Sequence, residues 1–212
     1  MLTASLSAHT GTEISGLDLR EAVPPTQLQE LQALFAQRSV LVFRCQSLTP
    51  AELLDAVQQF GEVFEQQNPR FSLPECPLIH YLSNEDRYPS GERYIPGAGY
   101  HTDHSNDIEP PKATVLHAVA LPSSGGDTQF VNMHEVYEAL PTPMRSRIEG
   151  LEAEHVYQST LSQRKLMGLT PQRKARIAPS VWHPLVRTHP QSGRKSLYLN
   201  PIRVQQIGAM QE

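Results

Sequence analysis

Trp182-His-Pro-Leu-Val-Arg-Thr-His-Pro-Gln-Ser-Gly-Arg-Lys-Ser-Leu-Tyr-Leu199 holds two β-prone runs, 182–188 and 195–199, on either side of Pro190-Gln-Ser-Gly193. A polar, glycine-containing connection between two such runs is a hairpin signal. Working outward, residues 114–121 and 128–131 read as further strands, split by Pro122-Ser-Ser-Gly-Gly126. A short strand at 78–82 interrupts a loop-rich stretch, 66–99, that carries Pro69, Pro74, Pro77, Pro89 and Pro96. Ser39-Val-Leu-Val-Phe-Arg44 is a continuous apolar run, expected to be a strand buried on both faces. Residues 13–20 read as a strand followed by a turn.

Helices fit between these runs. Thr26 is expected to cap a helix with Leu28, Leu31, Leu34 and Phe35 on one face. Thr49-Pro50-Ala51-Glu52 spells a capping box with proline at the first helical position, and Leu53, Leu54, Val57 and Phe60 follow before Gly61 ends the helix. Asn132 precedes a helix holding Val136, Tyr137 and Leu140; Thr142-Pro143 opens another that ends at Gly150. Residues 158–179 are basic and weakly patterned, which predicts a long surface loop. The stretch from Ile207 to Glu212 looks like the start of a helix. Eighteen prolines in 212 residues argue against a helical bundle. The expected fold is mainly β with flanking helices, in one domain over 1–212.

The charge balance narrows function. Eighteen basic against 22 acidic residues, a net charge of -4, leave no basic footprint, so nucleic acid is not an expected partner. No apolar run approaches the ~20 residues of a membrane-spanning helix. The first 16 residues lack the basic start and apolar stretch of a secretory leader. Cys45 and Cys76 make neither a disulfide framework nor a metal knuckle. These features predict a soluble, cytoplasmic protein.

Tyr100-His101-Thr102-Asp103-His104 is the strongest chemical feature. In an extended segment successive side chains alternate, so His101 and Asp103 project together while Thr102 and His104 point away. An imidazole nitrogen beside a carboxylate oxygen forms two corners of a metal site of the kind that suits non-heme Fe(II). A histidine hydrogen-bonded to a nearby aspartate has the same spacing, and the motif alone leaves both readings open. A metal site made of His101, Asp103 and His104 is disfavoured by the same alternation.

The blocks around this motif carry a resemblance. They are Ile14-Ser-Gly-Leu-Asp-Leu19, Val40-Leu-Val-Phe-Arg44, Phe60-Gly61, Pro122-Ser-Ser-Gly-Gly-Asp-Thr128, Tyr137-Glu-Ala-Leu-Pro141, Gly150-Leu-Glu-Ala-Glu-His155 and the hairpin block at 182–198. In order and spacing the chain resembles the taurine dioxygenase and 2,4-dichlorophenoxyacetate dioxygenase (TauD/TfdA) family of Fe(II)- and 2-oxoglutarate-dependent oxygenases, whose fold is a double-stranded β-helix, or jelly roll. The resemblance implies that His101 and Asp103 are metal ligands to iron and that Thr128 binds a carboxylate of the cosubstrate 2-oxoglutarate, with O2 as oxidant and succinate and CO2 as products. No other catalytic residue is implied. The implied substrate is a small, anionic organic molecule. A carboxylate at position 103 favours hydroxylation over halogenation, because halogenating relatives have a small residue there. Relatives often form dimers or tetramers, so a homo-oligomer fits the resemblance.

One departure bears on activity. The family completes its site with a second histidine in a W-D-N-R-x-x-x-H block and an arginine beyond it that pairs with 2-oxoglutarate; neither occurs here. His183 and His189 match family positions that are not ligands, and Arg187 and Arg194 read as hairpin and surface residues. His80 and Tyr81 lie in a region that contributes to substrate pockets in relatives. The domain is therefore expected to be C-terminally incomplete, with the last jelly-roll strands missing. The alternative to an active dioxygenase is a truncated, catalytically impaired family remnant or an interaction partner.

Overall fold

The computed structural model describes residues 1–97 and 99–209. The chain begins with strands β1, Leu2–Ser5, and β2, Thr12–Ser15; helix α1, Pro25–Arg38, then returns it to β3, Leu41–Phe43. β1 pairs antiparallel and β3 parallel with β2, the parallel pair being joined by the helical crossover that such pairing requires. The apolar face of α1 closes this unit: Leu31 is fully buried with Ile14 and Val23, and Leu17, Leu28, Leu34, Leu41, Phe43 and Phe60 pack around them. The helix starts at Pro25, with Pro24 at the cap position and no side-chain cap bond, rather than from Thr26. Proline already has the backbone angle of a first helical residue and no N–H to satisfy, so no capping hydroxyl is needed. β3 is half-buried at a sheet edge, not enclosed on both faces.

Helix α2, Pro50–Gln58, has the expected capping box: Glu52 N donates to Thr49 Oγ1 (3.3 Å), and Thr49 N donates to Glu52 Oε2 (2.7 Å). The proline-rich stretch that follows forms a short 3-10 turn, Pro69–Phe71, and the small hairpin β4, Ser72–Leu73, with β5, Cys76–His80. Phe71 stacks on Tyr94 at 6.0 Å between ring centroids, and Met167, 4% exposed, fills the space beside them. Residues 158–179 therefore do not run over the surface throughout, since Met167 and the fully buried Ser159 tie them to the core.

Helices α3, Met133–Ala139, capped by Asn132, and α4, Thr142–Ile148, match expectation, whereas the short helix α5, Pro171–Lys174, capped by Thr170, forms inside the stretch expected to be loop. A three-stranded antiparallel sheet follows, ordered β10-β6-β7, from β6, Leu151–His155, β7, Val181–Pro184, and β10, Val204–Ala209. β8, Val186–Thr188, and β9, Lys195–Leu197, form the hairpin read from the sequence. The helix expected from Ile207 is replaced, up to Ala209, by β10; pairing with β6 satisfies backbone groups that an isolated helical turn would leave open. Residues 210–212 of that reading lie outside the described residues.

The strands expected at 114–121 and 128–131 do not form. Their β-prone side chains are present, yet a strand needs a neighbour to share its N–H and C=O groups, and none pairs with them among the described residues. Val119 is 90% exposed, with Leu116, Leu121, Phe130 and Val131 also at the surface. Among the described residues ten strands form four short sheets flanked by helices, and the architecture is that of the jelly-roll class, mainly β with flanking helices.

Candidate metal centre

Gly97 and Gly99, both at positive φ, lead into the histidine and aspartate. The left-handed backbone at Gly99 (φ 93°) suits glycine and turns its carbonyl toward His101, whose Nδ1 donates to Gly99 O at 2.9 Å. That bond places the ring proton on Nδ1 in the neutral imidazole and leaves Nε2 as a lone pair. Nε2 faces Asp103 Oδ1 at 3.3 Å. The other carboxylate oxygen, Oδ2, accepts from Thr114 Oγ1 at 2.7 Å. Each side chain thus has its outer atom tied down and its inner atom aimed at the same space.

The electrostatics follow from this closeness. The His101 ring holds the Asp103 carboxyl down to about 2; burial opposes this, and the Thr114 hydroxyl adds to it. In turn the Asp103 carboxylate raises the His101 pKa, against desolvation and with help from Gly99 O. Two lone-pair atoms at this distance repel unless something positive lies between them, either a proton on Nε2 or a cation. Adjacent ligands on an octahedral ion with ~2.1 Å bonds stand roughly 3 Å apart, so the 3.3 Å pair fits a divalent metal. A metal-bound histidine that donates its second nitrogen to a carbonyl is the usual outer support of such a site.

The chain does not continue as a strand. Residues 103–106 form a turn, and His104 sits at φ 51°. The His104 ring is buried, with Nδ1 3.2 Å from Asp107 Oδ2, Nε2 2.9 Å from Gln66 Oε1, and its edge on Phe64. It faces away from the pair, as expected, although a left-handed turn rather than strand alternation sends it there.

His183 is not brought to the pair: its Nε2 donates to Asp107 O at 2.9 Å. His189 Nδ1 accepts from Gln191 N and Ser192 N within the hairpin loop. Arg187 lies over the Tyr198 ring, and Arg194 pairs with Glu138, as surface and hairpin residues do. Among the described residues no group of three His, Cys, Asp or Glu side chains is placed to hold a metal. Thr128 is exposed and has no side-chain hydrogen bond to the pair; its neighbour Gln129 accepts from the Tyr100 hydroxyl at 2.8 Å. His80 is half-buried, and burial lowers its pKa, with His104 and Arg173 adding to the effect.

Sequence reasoning missed Thr114 and Asn200. Asn200 Nδ2 donates to Thr102 O at 2.7 Å and to Ser105 Oγ at 3.0 Å. Thr114 lies 11 and Asn200 about a hundred residues from the motif, and neither has a local pattern that would single it out.

Comparison with known proteins places the whole chain in a family. Residues 2–212 match the family model described as "Taurine catabolism dioxygenase TauD, TfdA family". The alpha-ketoglutarate-dependent 2,4-dichlorophenoxyacetate dioxygenase of Cupriavidus pinatubonensis is 35% identical over 199 residues, covering 88% of this chain and 68% of that protein. The crystal structure of a taurine dioxygenase from Burkholderia xenovorans superposes with a TM-score of 0.78 at 29% identity, covering 99% of this chain and 66% of its own. A crystal structure of AAD-2 in complex with Mn(II) and N-oxalylglycine gives a TM-score of 0.70 at 25% identity, covering all of this chain and 73% of that one. The chain spans about two thirds of the length of these relatives. With a family model matched along nearly all its residues, the chain belongs to the TauD/TfdA dioxygenase family.

Proposed function

We propose that this chain carries the metal-ligand pair of an Fe(II)- and 2-oxoglutarate-dependent dioxygenase that hydroxylates a small, anionic organic substrate. The observation that carries the reading is the convergence of His101 Nε2 and Asp103 Oδ1 at 3.3 Å, with Gly99 and Thr114 holding their outer atoms. His101 and Asp103 would hold the iron, and Thr128 would bind a carboxylate of 2-oxoglutarate. When bound, iron and the 2-oxo acid supply oxygen activation: one oxygen atom of O2 enters a substrate C–H bond and the other enters succinate as CO2 leaves.

The residues have defined tasks in this reading. Gly99 O holds one ring proton on Nδ1 and so directs Nε2 to the ion, where a metal would replace the proton that the Asp103 carboxylate otherwise favours on that nitrogen. Thr114 occupies Asp103 Oδ2 and leaves Oδ1 free, favouring a one-oxygen contact. The depressed Asp103 pKa keeps the carboxylate charged across the working pH range. Residues 1–212 serve as a single domain of this enzyme, and no helix among the described residues is long and apolar enough to cross a membrane.

Anaerobic addition of Fe(II) and 2-oxoglutarate tests the reading. The expected result is a weak visible charge-transfer band that disappears in His101→Ala and Asp103→Ala, with succinate forming once a substrate and O2 are supplied. A band of equal strength in both variants would refute the assignment.

A further inference from the structure

Asn200 stands at the start of the turn between β9 and β10 and is 1% exposed. Its carbonyl accepts from Arg203 N and Val204 N, both at 2.9 Å, and its side-chain Oδ1 accepts from Ile202 N at 3.1 Å. The residue is therefore locked on its own turn by three backbone donors. Both protons of Nδ2 remain, and both are used on the turn that carries the metal pair: one on Thr102 O, one on Ser105 Oγ. Thr102 is the residue between His101 and Asp103. Its carbonyl belongs to the planar peptide that leads into Asp103, so fixing that oxygen fixes the plane from which the Asp103 side chain departs. Ser105, fully buried, anchors the other side of Asp103.

We propose that Asn200 is a positioning residue for the His101–Asp103 pair, a buried amide that clamps the metal-binding turn on both sides of Asp103. A residue needed only to shape the entry into β10 would have finished its work with Oδ1 and the backbone carbonyl. The Nδ2 bonds instead join two segments 98 and 95 residues apart. His183, donating to Asp107 O from β7, holds the far end of the same turn, which is thus tied both to β7 and to the turn before β10. The inference rests on the metal reading given above, and its test separates the two.

The test compares the full chain with Asn200→Asp and Ser159→Ala. Asn200→Asp keeps an oxygen for Ile202 N but turns an acceptor toward Thr102 O. Ser159 is fully buried, and its hydroxyl donates to Val204 O at 2.7 Å, so its loss loosens β10 without touching the metal turn. Mn(II) titration followed by electron paramagnetic resonance is expected to show ~10- to 100-fold weaker binding in Asn200→Asp and a change within about twofold in Ser159→Ala. Equal losses in the two variants, or none in either, would overturn the inference. Ser105→Ala, which removes one of the two acceptors, should weaken Mn(II) binding in the same direction and serves if Asn200→Asp does not fold. Amide hydrogen exchange across 101–106 in the metal-free chain gives a second readout. About tenfold faster exchange in Asn200→Asp, but not in Ser159→Ala, supports the clamp; unchanged exchange overturns it. If wild-type protein binds no Mn(II), the metal reading falls, and the exchange measurement alone decides the role of Asn200.

Discussion

His155, at the end of β6, is fully buried, and neither ring nitrogen has a hydrogen-bond partner. The His183 ring lies 5.5 Å away edge-on, with Tyr198 at the same distance. Burial, followed by the neighbouring His183, Arg203 and Arg187, lowers its pKa from 6.5 to about 4. The folded chain therefore keeps this ring neutral at pH values where the unfolded chain protonates it. Stability from this group is fully present above pH 6.5 and is lost progressively as pH falls through the window to about 4. At ~1.4 kcal/mol per pH unit the whole window is worth roughly 3 kcal/mol, of which about 2 kcal/mol is gone by pH 5. Leucine is close in volume to histidine and does not titrate. Urea unfolding of wild type and His155→Leu at pH 7.5 and pH 5 should show the acid-induced loss smaller in the variant by about 2 kcal/mol. His183, whose pKa burial also lowers, supplies a remaining acid sensitivity in both proteins. An equal loss in the two proteins, or a His155 proton resonance titrating near pH 6.5, would refute the reasoning.

Three further outcomes follow from particular contacts. Thr114→Val removes the hydroxyl that donates to Asp103 Oδ2 while keeping side-chain shape, and Mn(II) affinity should fall about tenfold with the fold intact by circular dichroism. His104→Ala should leave metal binding within about twofold and cost roughly 1–3 kcal/mol in urea unfolding, because it opens a cavity beside Phe64 and removes contacts to Gln66 and Asp107; abolished metal binding would make His104 a ligand. Thr49→Ala breaks the capping box of α2 and should lower stability by about 1 kcal/mol, read from the urea midpoint.

The parts of the fold that were legible in the sequence are those whose signal is local. The capping box at Thr49, the Asn132 cap and the 190–193 turn each complete their hydrogen bonds within a few residues, so composition and spacing suffice. Residues 114–121 have the right side chains for a strand, but a strand is a property of two segments, and no described segment pairs with them. At 204–209 a tail without strong periodicity became a strand because β6 offered an edge to pair with, information that lies fifty residues upstream. Likewise Met167 is buried by Phe71 and Tyr94, residues far from the basic stretch that made its surroundings look like surface.

The metal pair divides along the same line. His101 and Asp103 are two residues apart, and spacing alone puts their side chains within reach of one ion. What turns proximity into a ligand pair is the fixing of each outer atom and of the peptide between them, by Gly99 from within the motif and by Thr114 and Asn200 from outside it. Gly99 could be noticed in the sequence because a glycine two residues before the histidine suggests a closely approached backbone; a threonine opening a β-prone run and an asparagine before a proline carry no such mark. The unpaired run at 114–121 is then more than an exposed segment. Its first residue bonds Asp103, and His117 further along donates to Gln46 O at 3.1 Å, so the stretch is held at two points by side chains while no described strand pairs with its backbone. Any segment that pairs with this backbone would stiffen Thr114 and, through it, Asp103. Strand pairing and metal binding should therefore strengthen one another, since whatever orders residues 114–121 also removes freedom from a ligand that the metal must otherwise immobilise.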